Sequence, residues 1–100
     1  MTAGPNKEDW VWVSNPDHYL CRQVGDTSFV YNRLSGTTHI FNLVSKAMLD
    51  YLSAGPKSLR TIVTEFHMFL EVPAEECPRG VARRLFDELD DIGLVQRVGP

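Results

Sequence analysis

Few residues in this chain of 100 have types and spacing suited to chemistry. Its three histidines, His18, His39 and His67, lie far apart, as do its two cysteines, Cys21 and Cys77. There is no CxxC, no HxxxH and no Cys/His cluster at metal-ligand spacing. GxSxG, HExxH, P-loop and GxGxxG patterns are also missing. No second His, Arg clamp or Gly-rich phosphate loop accompanies His39, which reads as a hydrogen-bonding hairpin histidine. His18 and His67 read as structural or surface residues. One cysteine pair is too few to staple a secreted mini-protein; two free thiols are expected, with a disulfide or a shared metal site as the alternative. What remains is charge near the C-terminus: Arg79, Arg83 and Arg84 among Asp87, Glu88, Asp90 and Asp91. Such groups bind rather than react, or form i,i+4 pairs on a solvated helix face. The expectation is a non-enzymatic protein with no catalytic residue, no metal and no cofactor.

The composition bounds what can position these groups. A chain of 100 residues with 43% hydrophobic residues supports one domain with one modest core, not two. No stretch approaches the ~20 apolar residues that span a bilayer. Residues 1–9 are polar and lack the apolar segment of a secretory signal, so a flexible lead-in and a cytoplasmic protein are expected. The formal charge of −3 leaves no electrostatic footprint for nucleic acid.

Structure is expected from Trp10 to Val98. Trp10–Val13 is apolar and β-prone, and Trp10 and Trp12, two apart, can share one sheet face. Ser14-Asn15-Pro16-Asp17 breaks the run. Three β-like segments follow: Tyr19–Val24, closed by Gly25-Asp26; Thr27–Asn32; and Thr37–Asn42. Gly36 permits a compact hairpin loop between the last two. This predicts an antiparallel three-stranded meander.

The period then changes. Val44, Ala47, Met48, Tyr51 and Leu52 define one face of a helix. Gly55-Pro56 ends it, with Gly55 suited to a left-handed C′ position. Ser58 caps a second helix whose stripe is Leu59, Ile62, Val63, Phe66 and Leu70. Pro78 suits the first turn of a third. There Val81, Leu85, Leu89 and Ile92 form the expected core stripe, with Ala82 and Phe86 on an adjoining one. Gly93 ends this helix, and Leu94–Val98 is a possible short final strand. The order β-β-β-α-α-α predicts an α+β, winged-helix-like domain with its helices to one side of the sheet.

The chain resembles the PqqD-like family of small leader-peptide chaperones, the RiPP recognition elements, and most of all the branch associated with HPr-kinase-related genes. Four stretches carry the likeness across about residues 10–97. Trp12-Val13-Ser14-Asn15-Pro16-Asp17-His18 is similar to that branch's Trp…Asn-Pro…His signature. Val30-Tyr31-Asn32 with Ser35-Gly36-Thr37-Thr38-His39 is similar to its hairpin. Ile40-Phe41-Asn42 running into an apolar helix resembles its strand-to-helix junction. Leu89-Asp90-Asp91-Ile92-Gly93-Leu94-Val95 resembles its closing motif. Cys21 and Val24 depart from the branch, standing where it has aromatic residues, and the Met68–Gly80 connection is long.

The resemblance implies that the leader segment of a ribosomally made precursor lies as an extra antiparallel strand beside Thr38, His39, Ile40, Phe41 and Asn42, with the third helix as the second wall. It nominates Ala82 and Phe86 for an apolar pocket, Arg79 and Arg83 for acidic leader residues, and Asp87 and Asp90 for basic ones. Phe86 reads more readily as core than as pocket. The implied partners are that leader and a modifying enzyme or HPr-kinase-related protein, with no membrane or nucleic acid, in a monomer or weak homodimer. Two other readings compete. One is an assembly subunit docking through apolar Trp10–Val13 and Leu94–Val98. The other is a winged-helix DNA binder using Arg79, Arg83 and Arg84, opposed by the acids on the same helix.

Overall fold

A computed structural model describes residues 7–98. Nine regular elements follow one another: β1 (Val11–Val13), β2 (Tyr19–Val24), β3 (Thr27–Asn32), β4 (Thr37–Phe41), α1 (Leu43–Ser53), β5 (Lys57–Ser58), α2 (Leu59–Phe69), α3 (Arg79–Asp91) and β6 (Gln96–Val98). The class is the expected one: an antiparallel meander in the order β2-β3-β4, followed by three helices. No helix among the described residues is long and apolar enough to cross a membrane.

The meander forms because β-prone residues fill its middle strand and its turns are built for it. Val24 pairs with Thr27 across Gly25-Asp26, and Gly25 sits at φ +60°, a backbone that other residues adopt at a cost. At the second hairpin Gly36 is at φ +77°, and its N–H donates to the Asn32 carbonyl at 2.8 Å. Ser28, Val30 and Asn32 point into the core, whereas Phe29 and Tyr31 point out. Phe29 is flanked by Arg22 and Ile40, and Tyr31 by Leu20 and Thr38. The outer face is therefore apolar and exposed at Leu20, Phe29, Tyr31 and Ile40.

A second sheet, in the order β5-β1-β6, gathers the start of the domain, the α1–α2 connection and its end. Trp10 and Trp12 do share a face, with ring centroids 6.4 Å apart. Trp12 is buried edge-on against Phe86 at 5.1 Å, and the Arg97 guanidinium lies 3.8 Å over Trp10. The two apolar segments proposed as docking surfaces are thus paired with each other, and Trp12, Leu94 and Val95 belong to the core.

Helix ends explain most of the connections. The Asn42 carboxamide accepts from the Ser45 N–H at 2.8 Å, so β4 stops one residue before the expected end and Asn42 begins α1. Ser58 caps α2 as expected, accepting from the Thr61 N–H at 3.1 Å. Gly55 does not take the expected left-handed backbone. The last carbonyls of α1 meet a cation instead: Lys57 Nζ donates to the Tyr51 carbonyl at 2.8 Å and to that of Gly55 at 3.1 Å. Burial pulls the Lys57 ammonium below its ordinary value. Pro78 lies just before α3 as its N-cap. Gly93, at φ +77°, closes α3 with the Leu94 N–H bonded to the Leu89 carbonyl at 3.0 Å.

Two helix faces differ from expectation. On α1, Leu49 is buried and Val44 is exposed. On α3 the buried residues are Ala82, Phe86 and Leu89, while Val81 is exposed and Leu85 and Ile92 are half-buried. The two candidate stripes of α3 lie side by side, and burying Phe86 against Trp12 removes more apolar surface from water than burying Val81 would. The lead-in also differs. Lys7–Asp9 forms a 3-10 turn whose acids reach Arg60 and Arg79, and residues 1–6 of the expected lead-in lie outside the described residues.

Candidate functional site

β4 is an edge strand: β3 pairs with one side of it, and no strand among the described residues pairs with the other. Alternate residues of such a strand turn their N–H and C=O groups outward. Beside that edge runs a groove of about 460 Å³ between β4 and the C-terminal half of α3. His39, Ile40, Phe41 and Asn42 line one wall, Glu88, Asp91 and Ile92 the other, and Ser45 the α1 end.

The strand residues named from the sequence divide between two faces. Ile40 is 71% exposed and lies beside Phe29 on the outer face, with Thr38 on the same side. His39 and Phe41 turn inward, Phe41 into the core and His39 half-buried. The His39 ring Nε2 lies 3.1 Å from the Thr37 hydroxyl, and Thr37 Oγ1 is 2.7 Å from the Ser35 hydroxyl. His39 is thus a hydrogen-bonded hairpin residue. No cluster of three or more His, Cys, Asp or Glu placed to hold a metal occurs among the described residues. Both cysteines are free; Cys21 is exposed and Cys77 buried.

The helix residues named from the sequence require correction. Ala82 and Phe86 are 1% and 0% exposed, so they are core and offer no pocket wall. Arg79 and Arg83 line a different cleft, of about 200 Å³, with Glu8, Leu59, Val63 and Gly80. Arg79 is 3.3 Å from the Glu8 carboxylate, and Arg83 pairs with Asp87 at 3.1 Å. Asp87 and Asp90 are half-buried and do not line the groove at β4. With Phe86 turned inward, the helix places Glu88, Asp91 and Ile92 toward β4, and Arg79 and Arg83 fall on the opposite flank; Arg84, one turn before Glu88, forms no ion pair among the described residues and does not line the groove. Choosing Ala82, Phe86 and Leu89 as the core stripe would have identified these three from the sequence.

Two further contacts fix the walls. Asn32, 2% exposed, donates through Nδ2 to the Ile92 carbonyl at 2.9 Å. Its Oδ1 accepts from the N–H groups of Leu34 at 2.9 Å and Ser35 at 3.2 Å. The hairpin that carries β4 is thereby tied to the end of α3. On α1, Lys46 contacts Asp50 at 2.6 Å. Burial pulls the Lys46 ammonium down, but the hydrogen bond and charge of Asp50, with smaller contributions from Cys21 and Tyr19, outweigh it and leave its pKa raised. Glu88 and Asp91 form no ion pair among the described residues.

An open strand edge beside an acidic groove can take an extended backbone and a cation. The chain matches no family model, no curated protein and no solved structure.

Proposed function

We propose that the protein is a non-catalytic peptide-binding adaptor that takes the leader of a ribosomally made precursor as an added strand on β4 and presents it to a modifying enzyme. The observation that carries this reading is the unpaired β4 edge facing α3 across a groove. The resemblance to the PqqD-like family gives the occupant its identity as a leader. Magnitudes require both walls. About four or five new main-chain hydrogen bonds contribute a net ~0.5–1.5 kcal/mol each, whereas micromolar binding needs about 8 kcal/mol beyond the cost of ordering the peptide. Ile92 and the rim of Phe41 offer apolar contact for the remainder.

An assembly subunit that holds no peptide is the second reading. It is favoured by the exposed outer face of the meander, where Leu20, Phe29, Tyr31 and Ile40 form an apolar patch suited to a larger protein. In the adaptor reading the same face receives the modifying enzyme, an HPr-kinase-related protein being the one the resemblance suggests.

NMR titration of the full chain with synthetic leader segments of short precursor peptides found encoded near its gene separates the two. The adaptor predicts amide shifts at Thr38–Asn42 and Glu88–Ile92, lost in Ile40→Pro. Shifts confined to Leu20, Phe29 and Tyr31, or none, overturn it.

A further inference from the structure

We infer that the segment received between β4 and α3 carries a lysine or arginine side chain directed at Glu88 and Asp91. This rests on the groove reading above and specifies its occupant. Glu88 and Asp91 are exposed, lie three residues apart on one helix face and both line the groove. Four acids elsewhere are paired with the chain's own cations: Glu8 and Asp9 with Arg60 and Arg79, Asp50 with Lys46, and Asp87 with Arg83. The groove pair has no such cation, and no Lys or Arg lines the groove. Two like charges this close repel each other, and an incoming cation relieves that repulsion while an incoming carboxylate adds to it.

Strand geometry sets the position of the cation. A strand added to β4 alternates its side chains between the outer face, beside Ile40, and the inner side, facing α3. A basic residue belongs on the inner side. Its aliphatic stem can lie over Ile92 with the charged head at the carboxylates, as long basic side chains do on apolar ground. An apolar residue one position away extends the row formed by Phe29 and Ile40. The recognised segment is thus a short alternating stretch, apolar on one side and basic on the other.

The test is selection of random phage-displayed dodecapeptides on the full chain and on the doubly reversed variant Glu88→Lys/Asp91→Lys. Selected peptides are synthesised and mapped by NMR. Both positions are exposed, so the variant is expected to keep its far-UV circular dichroism; Glu88→Gln/Asp91→Asn serves if it does not. The expected result is Lys or Arg enriched at alternate positions in peptides that shift Thr38–Asn42, and Asp or Glu enriched on the reversed variant. Neutralising both carboxylates is expected to weaken a basic peptide roughly two- to tenfold at low salt, the range of exposed ion pairs. Peptides that map to β4 without basic enrichment, or whose preference survives the reversal, overturn this inference and leave the groove reading standing. Selections whose peptides never map to β4 and α3 overturn both.

Discussion

One helix borders two clefts, and they treat charge in opposite ways. At its N-terminal end, α3 contributes Arg79 and Arg83 to a cleft of about 200 Å³ whose cations are answered by the chain's own Glu8 and Asp87. At its C-terminal end it contributes Glu88 and Asp91 to a groove of about 460 Å³ with no cation in its lining and an unpaired strand edge as its other wall. The first cleft is closed on itself by electrostatics. The second has no ion pair for its carboxylates and no strand on its open edge among the described residues.

The sharpest test of this contrast is the residue between the two clefts. Phe86→Ala is expected to destabilise the fold by about 3–5 kcal/mol in chemical denaturation, because it opens a cavity against Trp12. A cost below ~1 kcal/mol would return Phe86 to the role of pocket wall. Asn32→Ala comes next, at about 2–3 kcal/mol, since it strands the Ile92 carbonyl and the N–H groups of Leu34 and Ser35. Hydrogen exchange should speed up around Ile92 and the hairpin and remain slow in α2; uniform acceleration would show that the tie is not local.

Alkaline pH bears on the N-terminal end. Burial pushes the Cys77 thiol above its ordinary value of 9.0, so the folded chain keeps a proton that the unfolded chain has released. Stability therefore falls as pH rises from 9.0 toward the folded value. Lys57, lowered by burial, acts in the opposite sense below 10.5. Comparison with Cys77→Ala isolates the thiol: the variant's stability between pH 9 and 10 should fall less steeply than the parent's, and equal slopes would refute the assignment. The smallest effect belongs to Glu8→Gln. Its pairs with Arg60 and Arg79 are partly exposed and screened, so the loss should stay below ~0.5 kcal/mol and vanish in high salt.

The meander was legible because Phe29, Val30 and Tyr31 give the middle strand its β propensity and the two turns carry Gly25 and Gly36. The end of β4 was misread by one residue because Asn42 is as good a strand end as a cap. The small sheet was not legible as a sheet: its strands have two or three residues, too few for a period, and they come from three distant parts of the chain. The same limit hid the acidic wall. Both α3 stripes satisfy helical spacing, and only the tertiary partner Trp12 decides between them, which in turn decides whether arginines or carboxylates face β4. His39, Ile40 and Phe41 of β4, with the cap residue Asn42, line the groove because a strand edge depends on backbone order, which the local pattern reveals.

The two asparagines described above have a joint consequence. Asn32 anchors one end of the hairpin to α3, and Asn42 anchors the other end of β4 to α1. Neither carboxamide gains or loses a proton in water, so these two ties do not depend on pH. On the proposed reading, an added strand meets an edge already held at both ends, and taking it up need not order the hairpin.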